Sequence, residues 1–108
     1  MTIRIVPYDP TWPLEFAKEQ RSILAAGGEW IRVIEHIGST AVAGLAAKPI
    51  IDIAVAVDSV HAAEAHLVRA FAPLDYKLFD AGMRGRLFLF RGDIQQPTHH
   101  LHVFPLAW

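Results

Sequence analysis

Two short segments of the sequence carry side chains that could bind a phosphorylated ligand together with a metal ion. The first runs from His36 to Ile53 and joins a Gly38-Ser39 turn to Asp52, a carboxylate within an apolar run. A turn of small residues exposes backbone N–H groups that can hold phosphate oxygens, and an aspartate on a strand can hold a hard cation such as Mg²⁺. Taken alone, a Gly-Ser turn followed later by an aspartate is a weak signal.

The second segment, Thr98 to Val103, contains three of the six histidines. Strand alternation would place His100 and His102 on one face and His99 on the other. If this strand pairs with that of Asp52 in a suitable register, one carboxylate and two imidazoles would meet, and both ligand types bind divalent metals. The alternative is that one histidine caps a loop or hydrogen-bonds within the core while the others lie in solvent.

Four further polar residues are candidates for the same site. Ser39 and Thr40 can donate hydroxyl groups to phosphate, and they can equally cap a short helical turn over residues 41–45. Lys48 can neutralise a phosphate or pair with an acid, and an exposed pair would contribute only about 0–1 kcal/mol, which is a modest structural reason for a lysine there. His36 is a candidate base or phosphate donor at a strand end, and a structural histidine bonded to the backbone is the equal alternative.

Three arginines near the predicted fourth strand are candidates for binding an anion: Arg84, Arg86 and Arg91. Arg86 is preferred because it shares the strand parity of Phe88 and Phe90, whereas ordinary exposure on the surface is the favoured interpretation of the other two. A role in phosphate binding is therefore assigned to Arg86 alone.

Apolar spacing and turn residues predict the elements that must position these side chains. We expect helices over residues 12–26 and 60–71 and strands over 31–37, 50–57, 74–79, 86–91 and 98–104, with a turn at 80–82. Residues 18–21 are interpreted as the solvated face of the first helix. The strand at 50–57 is apolar at both parities apart from Asp52, which indicates a central strand covered on both faces. This order of elements favours an α+β fold with a mixed sheet and flanking helices.

Composition limits the classes of function. The chain of 108 residues has the length of one domain, 1–108, and 53% of its residues are hydrophobic. With 10 basic and 11 acidic residues the formal charge is −1, so net charge gives no reason to bind nucleic acid or an anionic membrane. The absence of cysteine excludes disulfides and thiol catalysis. No apolar run approaches the ~20 residues of a membrane span, so we expect a cytoplasmic protein.

The full string His36-Ile37-Gly38-Ser39-Thr40-Ala41-Val42-Ala43-Gly44-Leu45-Ala46-Ala47-Lys48-Pro49-Ile50-Ile51-Asp52-Ile53 resembles the GrpB family, whose members are similar to the nucleotidyltransferase superfamily. The resemblance begins at Val6-Pro7-Tyr8-Asp9-Pro10-Thr11-Trp12 and ends at Thr98-His99-His100-Leu101-His102-Val103. It implies a nucleotidyltransferase-like mixed sheet. It also implies binding of a nucleoside triphosphate and a divalent metal, Mg²⁺, Mn²⁺ or another transition metal, with transfer of a nucleotidyl group to an unknown acceptor.

The residues divide among three roles in this interpretation. Asp52 and His36 are the catalytic candidates. The phosphate-binding candidates are Gly38, Ser39, Thr40, Lys48 and Arg86, and the metal ligands are Asp52, His100 and His102.

Two departures from the expected pattern support an alternative. Nucleotidyltransferases commonly carry a second acid two positions after the first, where this chain has Ala54, although the GrpB-like pattern also tends to be apolar there. Family members generally continue past the histidines into a helical section, whereas this sequence stops at Trp108, so we expect an apolar edge that binds a second copy or a partner chain. The alternative function is a catalytically silent ligand-binding or interaction module. A histidine-rich metal-binding protein without nucleotide chemistry ranks third.

Overall fold

The computed structural model describes residues 4–79 and 85–107. These contain helices α1 (Trp12–Gly27) and α2 (Val60–Phe71) and strands β1 (Val33–Ile37), β2 (Ile51–Val57), β3 (Tyr76–Leu78), β4 (Leu87–Asp93) and β5 (Gln96–Pro105). Short 3₁₀ turns occupy Gly28–Trp30, Ser39–Ala41 and Ala72–Leu74. The predicted turn at 80–82, Arg84 and Trp108 lie outside the described residues. No helix in the described ranges is long and apolar enough to cross a membrane.

The five strands form one sheet in the order β1-β2-β5-β4-β3. The central pair, β2 and β5, is parallel, and the other three pairs are antiparallel. The predicted α+β fold with a mixed sheet and flanking helices is therefore confirmed. Strands β1 and β3 begin two residues later than predicted, after the 3₁₀ turns at Gly28–Trp30 and Ala72–Leu74.

Local signals explain where the helices begin and end. Pro13 lies in the first turn of α1, where a missing N–H costs nothing. Gly28 follows the helix with a φ of 59°, and its N–H donates to the carbonyl of Leu24. The N-cap of α2 is Ser59, whose hydroxyl accepts from the N–H of Ala62 at 3.1 Å. The predicted bounds of α2 are confirmed, and those of α1 differ by one residue.

Both helices contribute to one core against a single face of the sheet. Ile23 of α1 and Leu67 and Phe71 of α2 are fully buried in the same hydrophobic cluster as the sheet residues. The sheet supplies alternate residues of its two central strands: Ile51, Ile53, Val55, Val57, Leu101 and Val103. We call this the helix face. Burying each such side chain stabilises the fold by roughly 1.5–3 kcal/mol.

The other face of β2 carries Asp52, Ala54 and Ala56, and we call it the open face. These three residues are only half-buried, so the prediction of a strand covered on both faces is wrong. Ala54 and Ala56 made this face look buried in the sequence because alanine is apolar. The described helices, however, pack on the opposite face. Asp52 consequently lies where a ligand can reach it.

Candidate metal and phosphate site

The pairing of β2 with β5 brings the predicted metal ligands together. Asp52 is the partner of His100 in the parallel register, and Ala54 is the partner of His102. All four side chains therefore lie on the open face. His99 has the opposite parity and is buried on the helix face, as strand alternation predicts.

Asp52, His100 and His102 form a compact group of potential ligands. Oδ1 of Asp52 lies 3.1 Å from Nδ1 of His100 and 3.6 Å from Nε2 of His102. One ligand atom from each residue falls within 4.8 Å of the others. Donors bound about 2.1 Å from a common ion lie at most about 4.2 Å apart, so the three side chains would draw slightly closer together to hold one divalent metal.

An aromatic ring supports the two imidazoles from β4. The centroid of Phe88 lies 5.0 Å from that of His100 and 4.8 Å from that of His102. Phe88 is the register partner of His102 across the antiparallel β4–β5 pair. This packing restricts the ring orientations and so prepares the ligand geometry.

Asp52 is ionised at neutral pH, as a metal ligand must be. Partial burial by itself would raise the pKa of this carboxyl group, but hydrogen bonds and the charges of His100 and His102 outweigh it and lower the pKa to about 2. The negative charge is thus stabilised by the same side chains that would share a metal with it.

Gly38 lies directly against the Asp52 carboxylate. Its φ is 76°, and a β-carbon built at this position would stand 2.7 Å from Oδ2 of Asp52. Only glycine combines that backbone conformation with so close an approach. Ser39, which follows, is exposed at the start of the 3₁₀ turn. The Gly38-Ser39 turn is therefore adjacent to the metal group.

His36 and Thr40 do not join this group. His36 is the register partner of Ile53, so its side chain lies on the helix face, where it stacks on Phe16 with a centroid distance of 4.9 Å. Thr40 is buried, and its hydroxyl donates to the carbonyl of Ile50 at 3.1 Å. Because a hydroxyl has a single proton, Nε2 of His36 must be the donor in its 2.9 Å contact with Thr40.

That hydrogen-bond chain anchors the end of β1 to the segment entering β2. Burial lowers the pKa of His36, although the charge of Asp52 opposes the shift. The structure places both side chains on the helix face, Thr40 buried and His36 half-buried, away from the metal group, and their catalytic and phosphate roles stay predictions.

Lys48 and Arg86 lie on two different sides of the metal group. Lys48 is exposed and lines a groove that also includes His100. The guanidinium carbon of Arg86 lies 4.7 Å from the ring centroid of Phe104, and that ring stacks beside His102 at 6.1 Å. Arg86 thus shares the open face with the metal group, as its strand parity predicts.

Sequence reasoning missed a second polar cluster, on the helix face. Glu19, assigned to the solvated face of α1, is buried and accepts hydrogen bonds from the Tyr76 hydroxyl at 2.9 Å and from Arg91 at 2.8 Å. Nε2 of His99 lies 4.0 Å from the same carboxylate. A signal was present, because Glu19 is seven residues after Trp12 and shares its side of the helix.

The sequence profile of the family described as GrpB protein matches residues 2–108. The chain belongs to the GrpB family. It is 40% identical over 111 residues to UPF0157 protein PA4798 of Pseudomonas aeruginosa, an alignment that covers 97% of this chain and 45% of that protein. UPF0157 protein YqkA of Bacillus subtilis is 31% identical over 106 residues, covering 94% of this chain and 29% of the relative. The chain therefore spans less than half the length of these GrpB-family relatives.

Two other similarities extend this result. The crystal structure of the conserved protein GrpB from Enterococcus faecalis superposes with a TM-score of 0.88 at 33% identity, covering 96% of this chain and 62% of that one. Part of the sequence is also similar to a dephospho-CoA kinase of Mycolicibacterium paratuberculosis, 38% identical over 65 residues, which are 57% of this chain and 16% of that enzyme. The GrpB resemblance identified from the sequence is thus confirmed over nearly the whole chain.

Proposed function

We propose that residues 1–108 act as one GrpB-like domain that binds a divalent metal through Asp52, His100 and His102. The same site would bind a nucleoside triphosphate and transfer its nucleotidyl group to an acceptor that is not yet identified. The observation that carries this proposal is the convergence of three metal ligands beside a turn of small residues. The close approach of Gly38 to Asp52 supports it, because a phosphate bound at this turn would lie next to the metal ligands.

The composition of the ligand set suggests which metals the site prefers. A single carboxylate with two imidazoles supplies one negative charge, whereas Mg²⁺ favours oxygen ligands. Imidazole nitrogen suits Zn²⁺, Ni²⁺ or Fe²⁺ better, so we expect such a transition metal to bind more tightly than Mg²⁺. When bound, such an ion would neutralise phosphate charge at the reacting group.

The residues of the chain have separate tasks in this proposal. Asp52 supplies charge and orients both histidines, and His100 and His102 complete the ligand set. The N–H groups of the Gly38-Ser39 turn, with the Ser39 hydroxyl, would hold phosphate oxygens. Arg86, held on the ring of Phe104, supplies positive charge on the His102 side of the same face.

One observation favours the alternative, a silent ligand-binding or interaction module. Ala54 lies opposite His102 in the register, at the position where nucleotidyltransferases carry a second acid. Without that carboxylate the site is suited to a single metal rather than two. Such a module would bind metal and nucleotide without turnover.

Calorimetric titration tests the proposal. The chain is titrated with ATP and GTP in the presence of Mn²⁺, Zn²⁺ or Mg²⁺, and in the absence of metal. Asp52→Asn should abolish metal-dependent binding, while Asp58→Asn, which alters an exposed acid just after the same strand, should leave it intact. Unchanged affinity in Asp52→Asn, or no binding by the wild-type chain under any condition, would contradict the proposal. Binding without release of pyrophosphate would support the silent module.

A further inference from the structure

A groove of about 390 Å³ opens beside the metal group at the same edge of the sheet. Its polar lining residues are Arg4, Lys48, Gln95, Gln96, Thr98 and His100. Pro49, Ile50, Ile94 and Pro97 provide apolar walls. The volume lies at the lower end of the range for small-molecule sites, so the groove suits a ligand smaller than a nucleotide.

Backbone pairing explains why residues distant in sequence meet here. Val6 and Ala47 exchange two hydrogen bonds, of 2.9 and 3.0 Å, which bring the N-terminal segment against the residues that enter β2. Arg4 and Lys48 flank this bridge and lie on one side of the groove. The opposite wall is the tight turn joining β4 to β5, where Oδ1 of Asp93 accepts from the N–H of Gln95 at 2.9 Å.

The charge of the groove selects an anion. Arg4 and Lys48 are exposed, and none of the described residues that line the groove is acidic. Neither cation forms an ion pair among residues 4–79 and 85–107. Two positive charges that line one groove match a doubly charged phosphate monoester better than a single carboxylate, since guanidinium binds phosphate oxygens in pairs.

The β4–β5 turn lines the side of the groove opposite Arg4 and Lys48, and its side chains would contact the uncharged part of the ligand. Gln95 and Gln96 are exposed and present amide groups that both donate and accept hydrogen bonds. Sugar or polyol hydroxyls also do both, so they match such a wall. The combination points to a phosphate monoester carrying a hydroxylated body.

The order of strands separates this groove from the proposed triphosphate site. The Gly38-Ser39 turn follows β1, Asp52 lies on β2, His100 lies on β5, and the groove is bounded by the β4–β5 turn. His100 belongs both to the metal group and to the groove wall. A ligand in the groove would therefore reach the metal group from the side opposite to the Gly38-Ser39 turn.

We propose that this groove binds a small hydroxylated phosphate monoester, such as a sugar phosphate, as a second ligand of the domain. The proposal deepens the function proposed above and rests on it, because this ligand is the candidate acceptor. It also moves Lys48 from the triphosphate to the phosphate of the second ligand.

Calorimetry or NMR titration with glucose 6-phosphate tests the assignment, with glucose as the uncharged comparison. Arg4→Gln and Lys48→Gln should each weaken binding of glucose 6-phosphate by at least tenfold, and glucose should bind much more weakly to every variant. Arg21→Gln, which removes an exposed cation from α1, is the matched control and should not change the affinity. Equal affinity of Arg4→Gln, Lys48→Gln and the wild-type chain for the sugar phosphate would overturn the proposal.

Two further measurements separate this proposal from the metal–nucleotide function. Arg4→Gln and Lys48→Gln should keep metal affinity, whereas Asp52→Asn should lose metal affinity and keep binding of glucose 6-phosphate. Failure of metal or nucleotide binding alone would therefore leave the groove assignment standing. If ATP displaces glucose 6-phosphate in direct competition, the groove is a nucleotide phosphate site and the second-ligand assignment is wrong.

Discussion

Gly38 and Asp52 are packed so closely that the end of β1 determines where the carboxylate lies. A β-carbon at position 38 would stand 2.7 Å from Oδ2 of Asp52 and 3.2 Å from its Cβ and Cγ. On its other side, Oδ1 of the same carboxylate lies 3.1 Å from His100. The acid is thus held between a backbone turn and an imidazole, which is the preorganisation that a ligand-binding site requires.

Replacing Gly38 by alanine should therefore damage the site as well as the fold. The substitution forces a side chain into a positive-φ conformation and against Asp52, so we expect a loss of about 1–3 kcal/mol of stability and a large loss of metal affinity. Gly44→Ala is the matched control, because Gly44 has a φ of 82° with nothing within 4 Å of a built β-carbon. Denaturant unfolding and Mn²⁺ titration measure the two effects. Equal metal affinities in the two variants would show that the contact with Asp52 is unimportant.

Removal of either histidine ligand should weaken metal binding without unfolding the domain. We expect His100→Ala and His102→Ala each to reduce Zn²⁺ or Mn²⁺ affinity by at least tenfold, because each removes one of the three proposed ligands. His61→Ala, at an exposed position on α2, should have no such effect. The metal-dependent rise in melting temperature provides the readout. A rise of the same size in all three variants would place the metal elsewhere.

Glu19 should make a large contribution to stability despite its charge. Glu19→Ala would leave the hydroxyl of Tyr76 and the guanidinium of Arg91 without their shared buried acceptor, so we expect a loss of about 2–4 kcal/mol. Burial and the adjacent carboxylate both raise the pKa of Tyr76, which keeps its hydroxyl a donor at any ordinary pH. Glu64→Ala, at an exposed position on α2, should change stability by less than about 0.5 kcal/mol. Urea unfolding compares the two, and a similar small effect in both would refute the role of Glu19.

Stability should fall as the solution becomes acidic below about pH 6.5, the ordinary pKa of histidine. Burial lowers the pKa of both His36 and His99 in the fold, so the unfolded chain binds more protons than the folded chain in this range. Their contribution is complete above pH 6.5 and is lost as the pH decreases toward the folded pKa values. His36→Gln should reduce the slope of unfolding free energy against pH between 7 and 5, and His61→Gln should not. An unchanged slope in His36→Gln would contradict the assignment.

Much of the local structure could be predicted because short-range chemistry determines it. The bounds of α2 follow from apolar spacing together with a serine cap at position 59. The separation of His99 from His100 and His102 follows from the two-residue period of a strand. The grouping of one acid with two imidazoles could likewise be inferred from their matching parity, and the structure brings the three side chains together.

The residues whose positions the sequence did not reveal depend on contacts between distant segments. Glu19 meets Tyr76 and Arg91, which lie 57 and 72 positions away in the chain, so its own neighbourhood gives only a weak indication of burial. His36 points to the helix face because its register partner is Ile53. The open face of β2 follows from where the helices pack, and side-chain apolarity does not reveal that choice.

The sequence by itself therefore determined the element types, the family and the residues able to bind a metal, because these depend on residue identity and on spacing within single segments. Only the tertiary structure decided that Asp52 faces His100, that Gly38 closes against that carboxylate, and that Arg4 and Lys48 share a groove with the β4–β5 turn. The reason is physical: strand register and helix placement are set by the packing of the whole core, and a shift of one residue would turn every side chain of β5 to the opposite face.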